Sequence, residues 1–540
     1  ASVLEQEDGI DEALEALDRA LRIRPGFRPA LRRKSRVLAH RGEDAQALEL
    51  LLDPRVDGSC ELLAERAEIR LRLRDYAGAD ADLERAEAST VAAEPAVLSA
   101  LRHRRAEVAY LRRDYARSAR LIRASPHRPF VRFAEALEGL APSAELPRVE
   151  LDVPIIRQRH MTCAPASLAS IAHFHGDPVD HNSIAFAICY AGTPTHHSRA
   201  WAEGRGYVAA EFDVTLDSAR RVLDAGLPFV LSTVATRSAH AQVVIGYDLA
   251  RGSILVRDPS RPELVEFDFA LLEAQAFHGP HGLVFAPERY EATLHALELP
   301  NRAAWDARHR IAAALEAHDL PAARRPLAEL EAQSPGSIHA LSAAHAVASY
   351  VGDRGEAIAA LDALLERFPR AHSLVVARAC EMRGRHSVSE VIEYFERYRD
   401  RDDPTLLSML ADHLRCIPAR RAEAERLFRR ALRHAPWEGA THHALADLLY
   451  HAPDELPETL ERYRFGALLS EHDEHFALAY FDSLCRTGSA DAGFRFLEWR
   501  AERAEHRSCG PAVTLFEAYL GAGDPERGVQ ALERLAASQP

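Results

Sequence analysis

Two periodicities of apolar residues alternate along this 540-residue chain. Over most of its length apolar side chains return every three or four positions, as in Ala357-Ile358-Ala359-Ala360-Leu361-Asp362-Ala363-Leu364-Leu365, the spacing of an amphipathic helix. These runs end at prolines: Pro25 near the start, and Pro335, Pro369 and Pro436 toward the end. Between residues 147 and 292 the pattern changes. Pro142-Ser143-Ala144-Glu145-Leu146-Pro147 breaks the helices, and strand-like runs follow: Phe229 to Val234, Ala241 to Tyr247 and Ser253 to Arg257. The last two flank Asp248-Leu249-Ala250-Arg251-Gly252, a turn composition that predicts a hairpin. Earlier in the same stretch, residues 163–175 read as one helix stopped by Gly176.

The helical regions repeat. Pro335 and Pro369 are 34 residues apart and Pro436 lies 67 further on, about two units; Asp319 and Asp353, each opening a second helix, are also 34 apart. That is the period of tetratricopeptide-type helix pairs, each burying its apolar stripe against its neighbours. The N-terminal part carries the same architecture in looser form, with Arg-Asp-Tyr-Ala at 74–77 and again at 113–116 starting a helix each time. A chain with 47% hydrophobic and 27% charged residues is globular, and at ~100–200 residues per domain it holds several domains. The expected boundaries are 1–145 and 298–540 for the repeats and 147–292 for the central domain.

Charge narrows the function classes. A net charge of −14 and a pI near 6.0 argue against a nucleic-acid or anionic-lipid footprint, and no run of apolar residues is long enough to span a membrane. Lys34 is the only lysine, in keeping with a GC-rich genome. Seven cysteines without a Cys-x-x-Cys pair indicate neither a disulfide framework nor a zinc ribbon. A reducing, cytoplasmic setting is expected. The sequence opens inside what reads as a helical unit, so a targeting segment upstream is left open.

Chemistry concentrates in the central stretch. Thr162 stands at the N-cap position of the predicted helix and Pro165 in its first turn, which puts Cys163 at the helix head. There the unpaired N–H groups and the positive end of the helix dipole favour thiolate. Such a cysteine needs an imidazole and a group to orient it. His240 starts the first hairpin strand and Asp258 follows the second, so the fold brings them close; which face each takes depends on register. Gln158, five residues before the cysteine, carries an amide suited to an oxyanion.

Gln-x4-Cys-x-Pro-Ala at 158–166, Ser-Ala-His-Ala-Gln-Val-Val-Ile-Gly-Tyr-Asp at 238–248 and Val-Arg-Asp-Pro at 256–259 together resemble the bacteriocin-processing, or double-glycine, cysteine peptidases. His175-Gly176, Gly192-Thr193 and Gly226-Leu227-Pro228 add similar texture. The resemblance implies a bacterial protein with a papain-like α+β domain between tetratricopeptide-like repeats. It implies Cys163 as nucleophile, His240 as base, Asp258 as the residue orienting the histidine and Gln158 as oxyanion support. Two positions depart from it. Ala164 stands where the family usually has glycine, and the chain has no Gly-Lys-Ser/Thr phosphate loop or membrane helices, so export-coupled leader cleavage is not implied.

The leading reading is a cysteine peptidase acting on a peptide or protein substrate, with the repeats presenting that substrate or holding a protein partner. Its rivals are a catalytically silent peptide-binding scaffold, a thioester-forming ligase or transpeptidase, and an enzyme sequestered by its own repeats. No metal or cofactor is expected, since His196-His197 and His173-x-His175 lack further ligands of suitable type. Cys509-Gly510-Pro511-Ala512 matches the family's local motif better than Cys163 does, but no glutamine precedes it at the right spacing and no histidine run follows it. It and the other cysteines are expected to be structural.

Overall fold

The computed structural model describes residues 10–90, 95–125, 131–140, 146–158, 162–189, 192–234, 239–261, 264–270, 272, 280–382, 386–398, 402–450, 456–470, 473–504 and 508–538. Residues 142–145 of the predicted helix break, Arg159 to Met161 and Ser238 lie outside them, as does the opening run of the chain. The chain divides into two compact units, one holding residues up to 233 and 240–302, the other residues 234–239 and 303–540.

Helix pairs make up both ends of the chain. In the first unit Cys60–Arg72 pairs with Tyr76–Ala88 and Pro95–Leu111 with Tyr115–Arg123. In the second, Ile338–Val351 pairs with Arg354–Arg367, Pro404–Leu414 with Arg421–His434, and Gly439–Leu449 with Leu456–Leu469. The turn inside a pair has a recurring form. One residue takes a positive φ (Arg74 60°, Arg113 62°, His318 56°, Gly352 76°), and the next is an aspartate. Asp75, Asp114, Asp319 and Asp353 each accept the N–H three residues ahead, capping the second helix. A cap of this kind contributes about 1 kcal/mol. The repeated Asp-Tyr-Ala and the 34-residue Asp spacing are therefore turn signals, and the prolines at 335, 369 and 436 fall just past helix ends at Gln333, Arg367 and His434.

Among the described residues of the central region, seven strands form one sheet: β1 (Arg148–Glu150), β2 (Tyr207–Asp213), β3 (Phe229–Val234), β4 (Ala239–Asp248), β5 (Ser253–Arg257), β6 (Leu264–Asp268) and β7 (His281–Pro287). Their order is β2-β7-β3-β4-β5-β6, with β1 pairing the far half of β4. The predicted hairpin is β4–β5, antiparallel in register Val243↔Arg257 and Asp248↔Ser253 with a bulge between Val244 and Gly246. β2 and β7 carry no turn-bounded apolar run as clear as those of β3 to β5, and their pairing from Tyr207↔Pro287 to Asp213↔His281 extends the sheet beyond the predicted strands.

Both faces of the sheet are covered, which is why the β4 residues from Ala241 to Asp248 are all buried. One face (Phe212, Phe229, Val244, Tyr247, Val256) packs under the helix Leu216–Asp224. The other (Val230, Val243, Leu255, Leu283, Phe285) packs under the helix Cys163–Phe174 through Leu168, Ala169 and Ile171. Each fully buried Leu or Phe side chain here is worth about 1.5–3 kcal/mol. Gly246 has no room for a Cβ, because the Val149 carbonyl of β1 crosses directly above it. A helix laid across an antiparallel sheet, between helical repeats, is the α+β arrangement expected. Among the described residues no helix is long and apolar enough to cross a membrane.

Candidate active site

The helix Cys163–Phe174 begins with Cys163 itself and stops before Gly176, whose φ of 87° favours glycine. Thr162 occupies the N-cap position, but its side chain does not cap the helix, a departure from the expected role. The helix is fixed by its own serines. Ser167 Oγ donates to the Ala241 carbonyl of β4 at 3.1 Å. Ser170 Oγ accepts the Ile156 N–H at 3.2 Å, tying the incoming strand segment to the helix. The first turn of the helix thus stands over the start of β4, where His240 sits.

The His240 ring is held on both sides. Its Nε2 meets Asp258 Oδ1 at 2.9 Å, and the Cys163 thiol is its second hydrogen-bonding neighbour. The Asp258 bond comes first, and with the thiol bond and the Asp258 charge it pushes the His240 pKa up to about 9 against burial. Burial pushes the Cys163 thiol up. The His240 bond, the Ala241 N–H, the imidazolium charge and the Ala164 N–H outweigh it, and the thiol lies below its ordinary value. Asp258 is buried, which pushes its carboxyl up, yet His240 and Ser260 hold it down to about 2. Ser260 supplies two bonds to Asp258 Oδ1, from its N–H at 2.8 Å and its Oγ at 2.7 Å. The shifts thus favour negative charge on Cys163 and Asp258 and positive charge on His240 between them.

Gln158 is half-buried and lies one turn of chain from Asp258: its backbone N–H donates to the Pro259 carbonyl at 3.0 Å. The segment 151–158 that carries it starts on β4, where the Leu151 N–H donates to the Ile245 carbonyl at 2.8 Å. The structure therefore brings Cys163, His240 and Asp258 into one bonded row and fastens the Gln158 backbone beside it.

Two contributors were not visible in the sequence reading. Ser260 is the tightest support of Asp258, and Asp-Pro-Ser is the signal that would have found it, since an Asx turn bonds two residues on. The Ala241 N–H acts through the backbone, and sequence carries no mark of it, whereas the Ala164 N–H is one of the helix-head groups expected to act on the thiol. Other readings need correction. Cys380 and Cys416, expected to be structural, are exposed, and Cys509 is exposed at a helix head. His173 faces the Val179 carbonyl at 3.0 Å, and burial lowers the His175 pKa.

The model of the Peptidase_C39 like family matches residues 150–270, a span that holds Gln158, Cys163, His240 and Asp258. The chain thus carries a Peptidase_C39-like domain with tetratricopeptide-like helices on either side. No curated protein matches it. Solved structures similar to it include a tetratricopeptide repeat protein from Parabacteroides merdae (11% identity, 44% of this chain and 93% of that one, TM-score 0.31). They also include the type IV pilus biogenesis factor PilW (14%, 37% and 92%, TM-score 0.31) and a thermophilic tetratricopeptide protein of Thermus thermophilus (16%, 34% and 99%, TM-score 0.26).

Proposed function

We propose that this chain is a cysteine peptidase acting on a peptide or protein substrate. The observation that carries the reading is the His240 ring, bonded to Asp258 at 2.9 Å through Nε2 and close enough to the Cys163 thiol to lower it. Cys163 Sγ attacks the scissile carbonyl carbon, forming the C–S bond while the carbonyl electron pair moves to oxygen. The Cys163 N–H at the helix head and the Gln158 amide stabilise that oxyanion. His240 gives its proton to the leaving amine as the C–N bond breaks, and Asp258 keeps the ring oriented and its charge compensated. Water, deprotonated by His240, then releases the acid from the thioester.

The test is hydrolysis of a synthetic peptide library followed by mass spectrometry, with wild-type protein and Cys163→Ala. Cleavage should fall by ~10⁴-fold or more in the variant. Cleavage that survives in Cys163→Ala at the wild-type rate would sink the proposal. No cleavage by either, with Cys163 alkylated no faster than Cys509, would favour the silent scaffold.

A further inference from the structure

We infer that the N-terminal repeats are a positioning limb of the candidate active site: Tyr110 and Glu107, on the repeat helix Pro95–Leu111, hold the common root from which the segments bearing Gln158, Cys163, His240 and Asp258 diverge. This rests on the catalytic reading above.

The root is Asp248, the last residue of β4, fully buried. Its carboxylate accepts four bonds: Tyr110 Oη at 2.6 Å, Arg148 Nη1 at 2.9 Å, the Ala250 N–H at 3.0 Å and the Arg251 N–H at 3.3 Å. Three strands meet at this residue. β1 pairs Arg148 with Asp248 and leads through 151–158 to Gln158 and the Cys163 helix. β4 runs back from it to His240, and β5, starting at Ser253 opposite Asp248, runs on to Asp258.

The next anchor is Arg251, in the hairpin turn and almost wholly buried. One nitrogen, Nη1, donates to Glu107 Oε2 at 2.8 Å and to Glu266 Oε2 at 2.6 Å, joining a repeat helix to β6. Its guanidinium lies 3.5 Å from the Tyr110 ring centroid and 5.6 Å from that of Phe133, on the repeat helix Val131–Glu138. Arg132 reaches Asp268 at the end of β6, at 3.6 Å.

Four donors on one buried carboxylate and two carboxylates on one buried guanidinium define a single geometry, because each partner removed leaves a charge unpaired out of water. The root lies about 26 Å from His240 along β4, eight residues at ~3.3 Å each. A rigid ladder transmits a shift at one end to the other, and a misplacement of ~1 Å at reacting atoms costs up to ~10²-fold. The unit that performs the chemistry is accordingly larger than the 147–292 stretch.

The test uses the full chain carrying Arg251→Met or Tyr110→Phe. Cys163 alkylation by iodoacetamide at pH 7 should slow by ~10-fold in Arg251→Met and by a few-fold in Tyr110→Phe, with Cys509 unchanged. Amide hydrogen exchange at Leu151 and Gln158, whose N–H groups bond across the root and beside Asp258, should accelerate in both. Wild-type exchange and alkylation in both variants would overturn the inference, even if melting temperature falls. Should Arg251→Met fail to fold, Tyr110→Phe decides. If wild-type Cys163 is no more reactive than Cys509, the catalytic reading has failed, and exchange at Leu151 and Gln158 alone decides the limb.

Discussion

The heads of two helices in this protein carry nearly the same four residues, Cys163-Ala164-Pro165-Ala166 and Cys509-Gly510-Pro511-Ala512, and their surroundings differ completely. Cys163 is half-buried, and its thiol bonds to His240 and to the Ala241 and Ala164 N–H groups. Cys509 is exposed at the N-cap of the helix Gly510–Gly521, and its side chain makes no capping bond. The charged group beside that second helix head is a carboxylate: a Cβ on Gly510 would come within 3.4 Å of Glu474 Oε1. Glu474 is in turn held by Arg500 at 2.8 Å and Thr514 at 2.7 Å. A helix head favours an anion, and at 510 a carboxylate already paired with Arg500 lies beside it. The local motif supplies only the dipole, and the distant β4–β5 hairpin supplies the imidazole that lowers the Cys163 thiol.

The sharpest way to break this contrast is to remove the charge behind the imidazole. Asp258→Asn keeps the shape of the side chain and deletes the carboxylate that orients and compensates His240. Peptide hydrolysis should drop by ~10²–10⁴-fold, while Cys509 keeps its alkylation rate. A drop of less than threefold would mean that His240 needs no carboxylate.

Much of this contrast could be read before any coordinates. The repeats were legible because several of their turns carry a left-handed residue followed by a capping aspartate, a signal local in sequence, as at Arg74-Asp75 and Arg113-Asp114. Strands β3, β4 and β5 were legible from their apolar runs, and the hairpin from the turn at Asp248 to Gly252. The register was not, because pairing Val243 with Arg257 depends on a bulge beside Gly246, and a glycine in a strand marks either a bulge or a close approach of backbone. β2 and β7 went unread since their strand pattern is set by two helical coverings contributed from elsewhere in the chain. The sheet face taken by His240 likewise waited on the fold, whereas the order Gln158, Cys163, His240, Asp258 did not.

A second contrast concerns pH. The Cys163 thiol is lowered and the His240 pKa raised to about 9, shifts that favour thiolate beside imidazolium. Alkylation of Cys163 should rise through an acid limb below the ordinary thiol value, and peptide hydrolysis should decline through an alkaline limb near pH 9, where His240 loses the proton it must donate. The same shifts set stability. His240, raised from 6.5, contributes stability that is fully present below pH 6.5 and is lost as pH rises through about 9. Asp258, lowered from 3.8, contributes stability present above pH 3.8 and lost as pH falls through about 2. Hydrolysis measured from pH 5 to pH 10, with an alkaline limb near 6.5 instead of 9, would show that the imidazole is not paired as described.

The smallest expected effect lies at the residue where the two helix heads differ, Ala164 against Gly510. Ala164 is buried among Val153, Leu168 and Val243, so Ala164→Gly removes a packed methyl group and adds backbone freedom to the first helical turn. Together these should cost about 1 kcal/mol, a fall of a few degrees in melting temperature. Reactivity should hold within about twofold of wild type, because the groups that lower the thiol are the 164 N–H, which glycine keeps, and His240 and Ala241, which the substitution does not touch. A tenfold loss of Cys163 alkylation with so small a stability cost would mean that the methyl group, and not the imidazole, sets the thiol in place. The reciprocal change, Gly510→Ala, meets the Glu474 side chain at 3.3–3.4 Å, and should leave Cys509 as unreactive as before, since it brings no imidazole to that helix.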